Sequence, residues 1–509
     1  MTNYVEHPWI NPNTIEYRSY QGNIVKTAIN NNTLCVIPTG LGKTSIAALV
    51  AAERLKNDMN TKILFLAPTR PLVEQHRKSF EKFLKLGLEL RTITGEDKPE
   101  ERANIYKNVD IVFSTPQTVA NDLKKGVLDL KDFSLCIFDE AHRCVGNYAY
   151  VYIAKRYINS SSKPLILALT ASPGSHKYKI DELKSKLFIS NVEIRTREDY
   201  DVQQYVQSLQ QDWIIVELLP EMKSIRTYLE TIKSGKMKKL MSANVIHSYK
   251  TTKSQLLRLQ QDLARKKTGY AFMAMSWIAE IMKIDHAILL LETQSLHSLK
   301  QYFDSLKEDQ TRAVARLMKE DDFNNATRLT NELLEEGKEH PKMDKVKSIV
   351  ENELTKNKDT RIIIFAQYRS TIKKIFDILK EVRYAAPIEF IGQSKKTGSK
   401  GLSQKEQTQI LNEFKLGFYN ILCASQVAEE GLDVVETDLV IFYEPVPSAI
   451  RKIQRTGRTA RTRVGRVITL MARQTRDEIY HWTAHQKENN MKKILYDMQK
   501  GQKSVDEFK

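Results

Sequence analysis

Nine consecutive residues, Ile37-Pro38-Thr39-Gly40-Leu41-Gly42-Lys43-Thr44-Ser45, hold the densest chemistry in the chain. They follow the apolar stretch TLCVI and lead into a helical pattern. Gly40 and Gly42 let the backbone curl so that its N–H groups face a phosphate. Lys43 has the reach for the β- and γ-phosphates of a nucleotide, and the Thr44 hydroxyl can ligate Mg²⁺. Ile37 stands where the strict GxxxxGK[ST] spacing has glycine, and a plain glycine-rich turn is the alternative reading. About a hundred residues later, Phe138-Asp139-Glu140-Ala141-His142 closes another apolar run. Asp139 suits a Mg²⁺ shell, Glu140 the proton of an attacking water, and His142 a link to other motifs. Its alternative is a solvated acidic helix cap. A third string, QRTGRTAR, runs from Gln454 to Arg461, with Arg455, Arg458 and Arg461 three apart on one helical face. Such always-charged donors suit the charge that develops on a transferring γ-phosphoryl group. A basic helix binding a phosphate backbone competes with that reading. It fits less well, because the first nucleotide motif lacks an arginine finger of its own.

Positioning these strings requires short buried strands that end in loops. TKILFLAP (61–68), VDIVFSTP (109–116), SLCIFDE (134–140) and PLILALTA (164–171) are aliphatic runs closed by polar or proline signals. Helical patterns lie between them, such as 44–55 and 71–84. The alternation predicts a parallel sheet covered by helices on both faces. From Glu221 to His340 there is no proline, and apolar residues recur at helical spacing, so this stretch predicts several long helices. After Pro341 the alternation resumes, with strands expected at 361–367, 388–392, 420–425, 438–444 and 466–472. Helices are expected at 370–382 and 403–415. The domain reading is therefore α/β at 1–205, a basic all-helical insert at 206–335 and α/β again at 336–509.

Composition narrows the partners. Among 509 residues, 79 Lys and Arg against 62 Asp and Glu leave a net charge of +17, which favours a polyanion. Residues 221–300 carry fourteen basic against six acidic side chains, +8 in one helical segment. No run approaches the roughly 18 apolar residues of a membrane helix. The opening MTNYVEHPWINPNTIEYRSY has neither the basic region nor the apolar core of a secretory signal. Cys35, Cys136, Cys144 and Cys423 form no CxxC pair, which argues against disulfide scaffolds and zinc modules. An intracellular, cytoplasmic and chromosome-associated protein is expected.

In this order the motifs resemble those of a superfamily 2 helicase, from about Tyr17 to Arg461. The resemblance implies two RecA-like P-loop domains closing on ATP and Mg²⁺. It implies an adenine-reading element at Arg18, Tyr20 and Gln21. Strand-contacting motifs would be APTRPLVEQH (67–76, with Pro68, Thr69, Arg70 and Gln75), Thr94-Gly95 and Ser114-Thr115-Pro116. Thr170-Ala171-Ser172 would link hydrolysis to movement. In the second domain, Gly431 and Asp433 would touch nucleotide, and Gln393, Ser425 and Gln426 would lie near the strand. PTGLGKT, the strings FIGQS and GLSQKEQ within 390–407, and the basic insert resemble archaeal Hef helicases and their relatives of the Fanconi anaemia M-group type. In that family the insert is thumb-like and helps engage branched DNA. Ala460 replaces a glycine usual in the last motif, and no ERK-containing nuclease string is present, so a separate nuclease is a conceivable partner.

The expected function is an ATP-dependent DNA helicase or translocase on forks, flaps or Holliday junctions, in DNA repair. An RNA helicase or double-stranded RNA ATPase of the RIG-I/Dicer-like branch is the alternative within the class. A nucleic-acid-binding scaffold is the alternative outside it. Gln502, Val505 and Phe508 have the spacing of a sliding-clamp-binding peptide, with a frayed polar terminus as the blander reading.

Overall fold

Aliphatic runs without a polar face can be satisfied only by burial on both sides, and the structure gives them that environment. The computed structural model describes residues 3–58, 61–205, 209–266, 268–392, 401–425, 437–445 and 465–506. Among these, β1 (Thr33–Val36), β2 (Lys62–Leu66), β3 (Leu90–Ile93), β4 (Ile111–Ser114), β5 (Phe133–Phe138), β6 (Ile166–Thr170) and β7 (Asn191–Ile194) form one sheet. Its order is β3-β4-β2-β5-β6-β1-β7, and every pairing is parallel. Every position of β1, β4, β5 and β6 is buried. Alternate residues feed two cores: Leu34, Leu64, Cys136 and Ala168 on one face, Cys35, Phe65, Ile137 and Leu167 on the other.

A second parallel sheet, ordered β10-β11-β9-β12-β13-β8, joins β8 (Leu209–Val216), β9 (Ile362–Phe365), β10 (Pro387–Phe390), β11 (Ile421–Ala424), β12 (Leu439–Phe442) and β13 (Gly465–Ala472). The expected architecture of two α/β units with a helical module between them is therefore present. One part of the domain reading is corrected. Residues 209–216, assigned from sequence to the helical insert, are a strand of the second sheet along the whole length of β13. The strands that sequence patterning misses, β3, β7 and β8, all lie at sheet edges. An edge strand pairs on one side only and keeps polar residues. β3 buries only Ile93, and β8 alternates exposed with half-buried positions. β7 carries Glu193, a buried carboxylate that accepts from Thr27 and Gln499 at 2.7 and 2.8 Å and pairs with Arg195 at 3.2 Å.

The insert is helical among its described residues, led by Pro220–Ser242 and Gly269–Thr293. It has two cores. The proximal one unites Ile225, Leu291, Phe303 and Phe323 with Ala472 of β13. The distal one gathers Leu240, Leu256, Leu263 and Ile278. A buried polar junction fixes the proximal end to the second domain. The Lys342 ammonium pairs with Asp477, both fully buried, donates to the Thr293 carbonyl at 3.3 Å and lies over the Tyr443 ring. Arg476 bonds Asp285 at 2.8 Å, and Thr371 donates to Gln294 at 2.9 Å. Burial pushes the Asp477 carboxyl upward, and the Lys342 charge opposes it.

From this junction the C-terminal helix, Arg476–Asp506, returns to the first domain. Met491 and Leu495 enter the first core, and Tyr496 donates to Asp199 at 2.7 Å. No helix among the described residues is long and apolar enough to cross a membrane.

Removing one partner of a fully buried ion pair strands the other charge, at a cost of about 3–5 kcal/mol. Lys342→Met should therefore lower the stability of the second domain by that amount in urea unfolding. Adding Asp477→Asn should recover a large part of it.

Candidate active site

The glycine-containing loop leaves the carboxyl end of β1, where the Ile37 N–H donates to the Thr170 carbonyl at 3.1 Å. Gly42 caps the next helix, Lys43–Asn57, at φ +80°, a left-handed conformation natural to glycine. Two residues of the upstream element brace the loop from behind. Tyr20 and Gln21 both donate to the Leu41 carbonyl, at 2.8 and 3.1 Å. A Cβ on Gly42 would overlap the Gln21 amide nitrogen. Gln21 thus holds the loop, while Arg18 is turned toward Glu16 at 2.9 Å and the face of Tyr205. The Lys43 ammonium is buried with no hydrogen-bond partner among the described residues, as are the Thr39 hydroxyl and the Gln21 carbonyl oxygen.

The acidic string leaves β5 two strands away from β1, with β6 between them. Its backbone is clamped: the Asp139 N–H donates to Leu66 at 2.9 Å, and Tyr150 donates to the Asp139 carbonyl at 2.7 Å. Glu140 sits at φ +48°, a strained conformation for a non-glycine residue that costs on the order of 1–2 kcal/mol. That turn aims its carboxylate at Lys43, 3.8 Å away. Burial works against the Glu140 charge, but Lys43, His142 and Arg143 together outweigh it and hold its pKa well below the usual carboxylate range. The carboxylate is thus ionised and can accept a proton. His142 stands 3.2 Å from Glu140 and shares a 3.1 Å hydrogen bond with Thr170, which in turn accepts from the Ser172 N–H. The Ser172 hydroxyl reaches the Met491 sulfur on the C-terminal helix. The motif expected to link hydrolysis to movement therefore touches a helix rooted in the second domain.

These residues fit a nucleoside triphosphate with Mg²⁺. A buried ammonium beside a helix N-terminus, with no hydrogen-bond partner among the described residues and only the distant Glu140 carboxylate as counter-charge, suits a phosphate, and Thr44 and Asp139 offer the oxygen donors that Mg²⁺ prefers. The residue that sequence reasoning missed is His76. It hydrogen-bonds Asp139 at 2.9 Å and Thr44 at 3.3 Å, although 63 and 32 positions separate it from them. It ends the quoted string APTRPLVEQH, but nothing in that string says where the ring points.

The expected strand-contacting residues of the first domain gather at the carboxyl ends of β2, β4 and β3, neighbours in the sheet. Pro68 and Thr69 precede the helix Arg70–Phe83, Thr94 and Gly95 follow β3, and Thr115 and Pro116 follow Ser114 at the end of β4. Arg70 is exposed and bonded to Glu96 at 2.5 Å, Thr94 is tied to Asp97, and Gln75 is half-buried on the helix. Ser425 follows β11 with its hydroxyl buried and unbonded among the described residues. Gln393, Gln426, Gly431, Asp433, Gln454, Arg458, Arg461 and Phe508 lie outside the described residues, as do the side chains of Gln502 and Val505.

The brace yields a coupled prediction. Gly42→Ala meets both the left-handed backbone penalty and the Gln21 amide, and should lower the thermal midpoint and nucleotide affinity together. In a Gln21→Ala background the steric part is gone, so the same substitution should cost less there, about 1–2 kcal/mol from backbone strain alone. A double-mutant cycle on the thermal midpoint measures the difference.

Family models match the chain in three places. A DEAD/DEAH box helicase model covers residues 18–180, and a helicase conserved C-terminal domain covers 342–463. Between them, "Putative ATP-dependent RNA helicase, helical bundle" covers 221–337. A Methanocaldococcus jannaschii protein named "Putative ATP-dependent RNA helicase" is 40% identical over 97% of this chain and 63% of its own length. The ATP-dependent DNA helicases mph1 of Neurospora crassa and fml1 of Schizosaccharomyces pombe are 32% and 33% identical over 91% of the chain. The chain spans 42% and 58% of those two proteins, so all three relatives are considerably longer. The crystal structure of the Pyrococcus furiosus Hef helicase domain matches 92% of this chain and 98% of its own. It does so at 42% identity with a TM-score of 0.72. The chain belongs to the superfamily 2 DEAD/DEAH-box helicases of the Hef type, a class of ATP-dependent hydrolases.

Proposed function

We propose that this chain is an ATP-driven DNA translocase or helicase that acts on branched DNA such as forks, flaps and Holliday junctions. The observation that carries the catalytic half is the buried, unbonded Lys43 ammonium facing an ionised Glu140 across the glycine-containing loop. In this reading Lys43 binds the β- and γ-phosphates, and Thr44 and Asp139 hold the Mg²⁺ shell. Mg²⁺ supplies charge neutralisation on the phosphates when bound. Glu140 accepts the proton of the attacking water, and Arg458 and Arg461 of the second domain meet the γ-phosphoryl charge.

The substrate half rests on the insert's charge. Residues 236–275 hold nine Lys and Arg against one acid, 9 − 1 = +8. Residues 276–337 hold seven against twelve, 7 − 12 = −5. The excess thus belongs to the segment around the distal core. There Lys238, Lys239, Lys250, Lys253, Arg258 and Lys266 are exposed and unpaired with any carboxylate among the described residues. Exposed Tyr249, Tyr270 and Phe272 stand among them. Basic side chains interleaved with exposed rings suit phosphates and unstacked bases together. The mph1 and fml1 relatives are named DNA helicases, which supports DNA. RNA is the second reading, favoured by the names of the Methanocaldococcus relative and the helical-bundle family.

Lys43→Ala should abolish phosphate release, and wild-type turnover in that variant would overturn the assignment. Glu140→Gln should bind ATP normally and hydrolyse it about 10²–10⁴-fold more slowly. ATPase stimulation by a panel of forked, junction and linear DNA and RNA decides the substrate, with forked DNA expected to lead. Deleting the whole insert would open the buried Lys342 junction, so the distal segment is the better target. Alanine at Lys250, Lys253, Arg258 and Lys266 should weaken branched-DNA binding and flatten its salt dependence, by about one unit of slope per lost phosphate contact. ATPase activity without nucleic acid should stay unchanged in that variant.

A further inference from the structure

We propose that His76 is a positioning residue that sets Thr44 and Asp139 to receive the divalent ion, an inference that rests on the nucleotide-site reading above. The ring is buried and packed against Phe65, with centroids 4.5 Å apart, so it has little freedom to turn. Its two nitrogens meet two different ligand candidates. Asp139 as a carboxylate only accepts, so the Nε2–H at 2.9 Å must be the donor. In the neutral ring Nδ1 is then an acceptor, and the Thr44 hydroxyl, 3.3 Å away, donates to it.

That tautomer has a chemical consequence. A hydroxyl that ligates a cation must offer it a lone pair and send its hydrogen elsewhere. His76 takes that hydrogen and leaves the Thr44 lone pairs directed to the phosphate side. It also occupies one Asp139 oxygen, Oδ2, which fixes the carboxylate plane and leaves Oδ1 for the ion's shell. The ring therefore does for a hydroxyl and a carboxylate what outer partners commonly do for metal ligands: it holds orientation and proton placement. Lys43 and Glu140 pair with each other instead, and the His76 ring nitrogens bond Asp139 and Thr44 rather than either of them. The effect of His76 should thus fall on the ion rather than on the phosphate cradle.

The test measures binding of a fluorescent ADP analogue to the whole chain at a series of free Mg²⁺ concentrations and in EDTA. Mn²⁺ binding to the protein–ADP complex is followed by electron paramagnetic resonance. His76→Phe keeps a ring against Phe65 but removes both nitrogens. It should raise the Mg²⁺ concentration for half-maximal affinity, and the Mn²⁺ dissociation constant, by about 10–100-fold. ADP affinity in EDTA should stay within about twofold of the wild type by the same reasoning. His76→Gln, whose amide can donate to Asp139 and accept from Thr44, should recover most of the loss. An unchanged Mg²⁺ requirement in His76→Phe would overturn the proposal. So would a parallel fall in EDTA affinity and thermal midpoint that His76→Gln fails to rescue, since that marks a merely structural ring. Absence of Mg²⁺-dependent ADP binding in the wild type would instead overturn the nucleotide site itself, and this inference with it.

Discussion

Parallel pairing is the constraint on which the rest depends. When every strand of a sheet points the same way, every strand-to-helix turn opens at one edge, and helix N-termini collect there. In the first domain the register places Val36 beside Thr170, Phe138 beside Ala168 and Leu66 beside Phe138. The glycine-containing loop, the acidic string and the Thr170 turn are therefore forced into one neighbourhood, although about 130 positions separate the first from the last. The same edge continues through β2, β4 and β3 to the strand-contacting candidates. A single helix, Arg70–Phe83, begins at that contact edge and carries His76 into the catalytic cluster.

The price of such a site is local strain and unmade hydrogen bonds, and the structure concentrates them. A left-handed glutamate, an ammonium without a hydrogen-bond partner and a glycine too close to Gln21 for any side chain occur within one loop cluster. Each is unfavourable alone and is held by rigid surroundings: all-buried strands, the Tyr150 clamp and the Leu41 brace. Features of this kind persist where the fold over-determines them, and they mark where a ligand completes the interactions.

Attachment follows a different logic. The insert shares a core with β13 and a buried ionic junction with the helix after Pro341, so its proximal half is continuous with the second domain. Its basic segment has a core of its own, while the proximal segment carries the acids. The C-terminal helix runs from the same junction to the first domain, passing Ser172 at Met491 and reaching Glu193 at Gln499. Two polypeptide connections thus join the halves, one through β8 and one through this helix.

Much of this was legible in the sequence. The loop at 37–45, the DEAH string and ten of the thirteen described strands announce themselves, because buried aliphatic runs and glycine-lysine spacing are local signals. Three of the four edge strands were not legible, since β3 buries only Ile93, β8 carries the polar Gln210-Gln211-Asp212, and β7 contains a glutamate whose burial depends on Thr27, Arg195 and Gln499. Gln21 shows the division within a single residue. Its position in the motif was readable, but its contact with the Leu41 carbonyl was not. By itself the sequence determined the residue types, their order and the period of each element, all properties of neighbours along the chain. Only the tertiary structure decided that His76 bridges Thr44 and Asp139, that Glu140 faces Lys43 and that Lys342 is buried against Asp477. Those contacts arise from strand order and register, which bring distant residues together and leave no trace in local spacing.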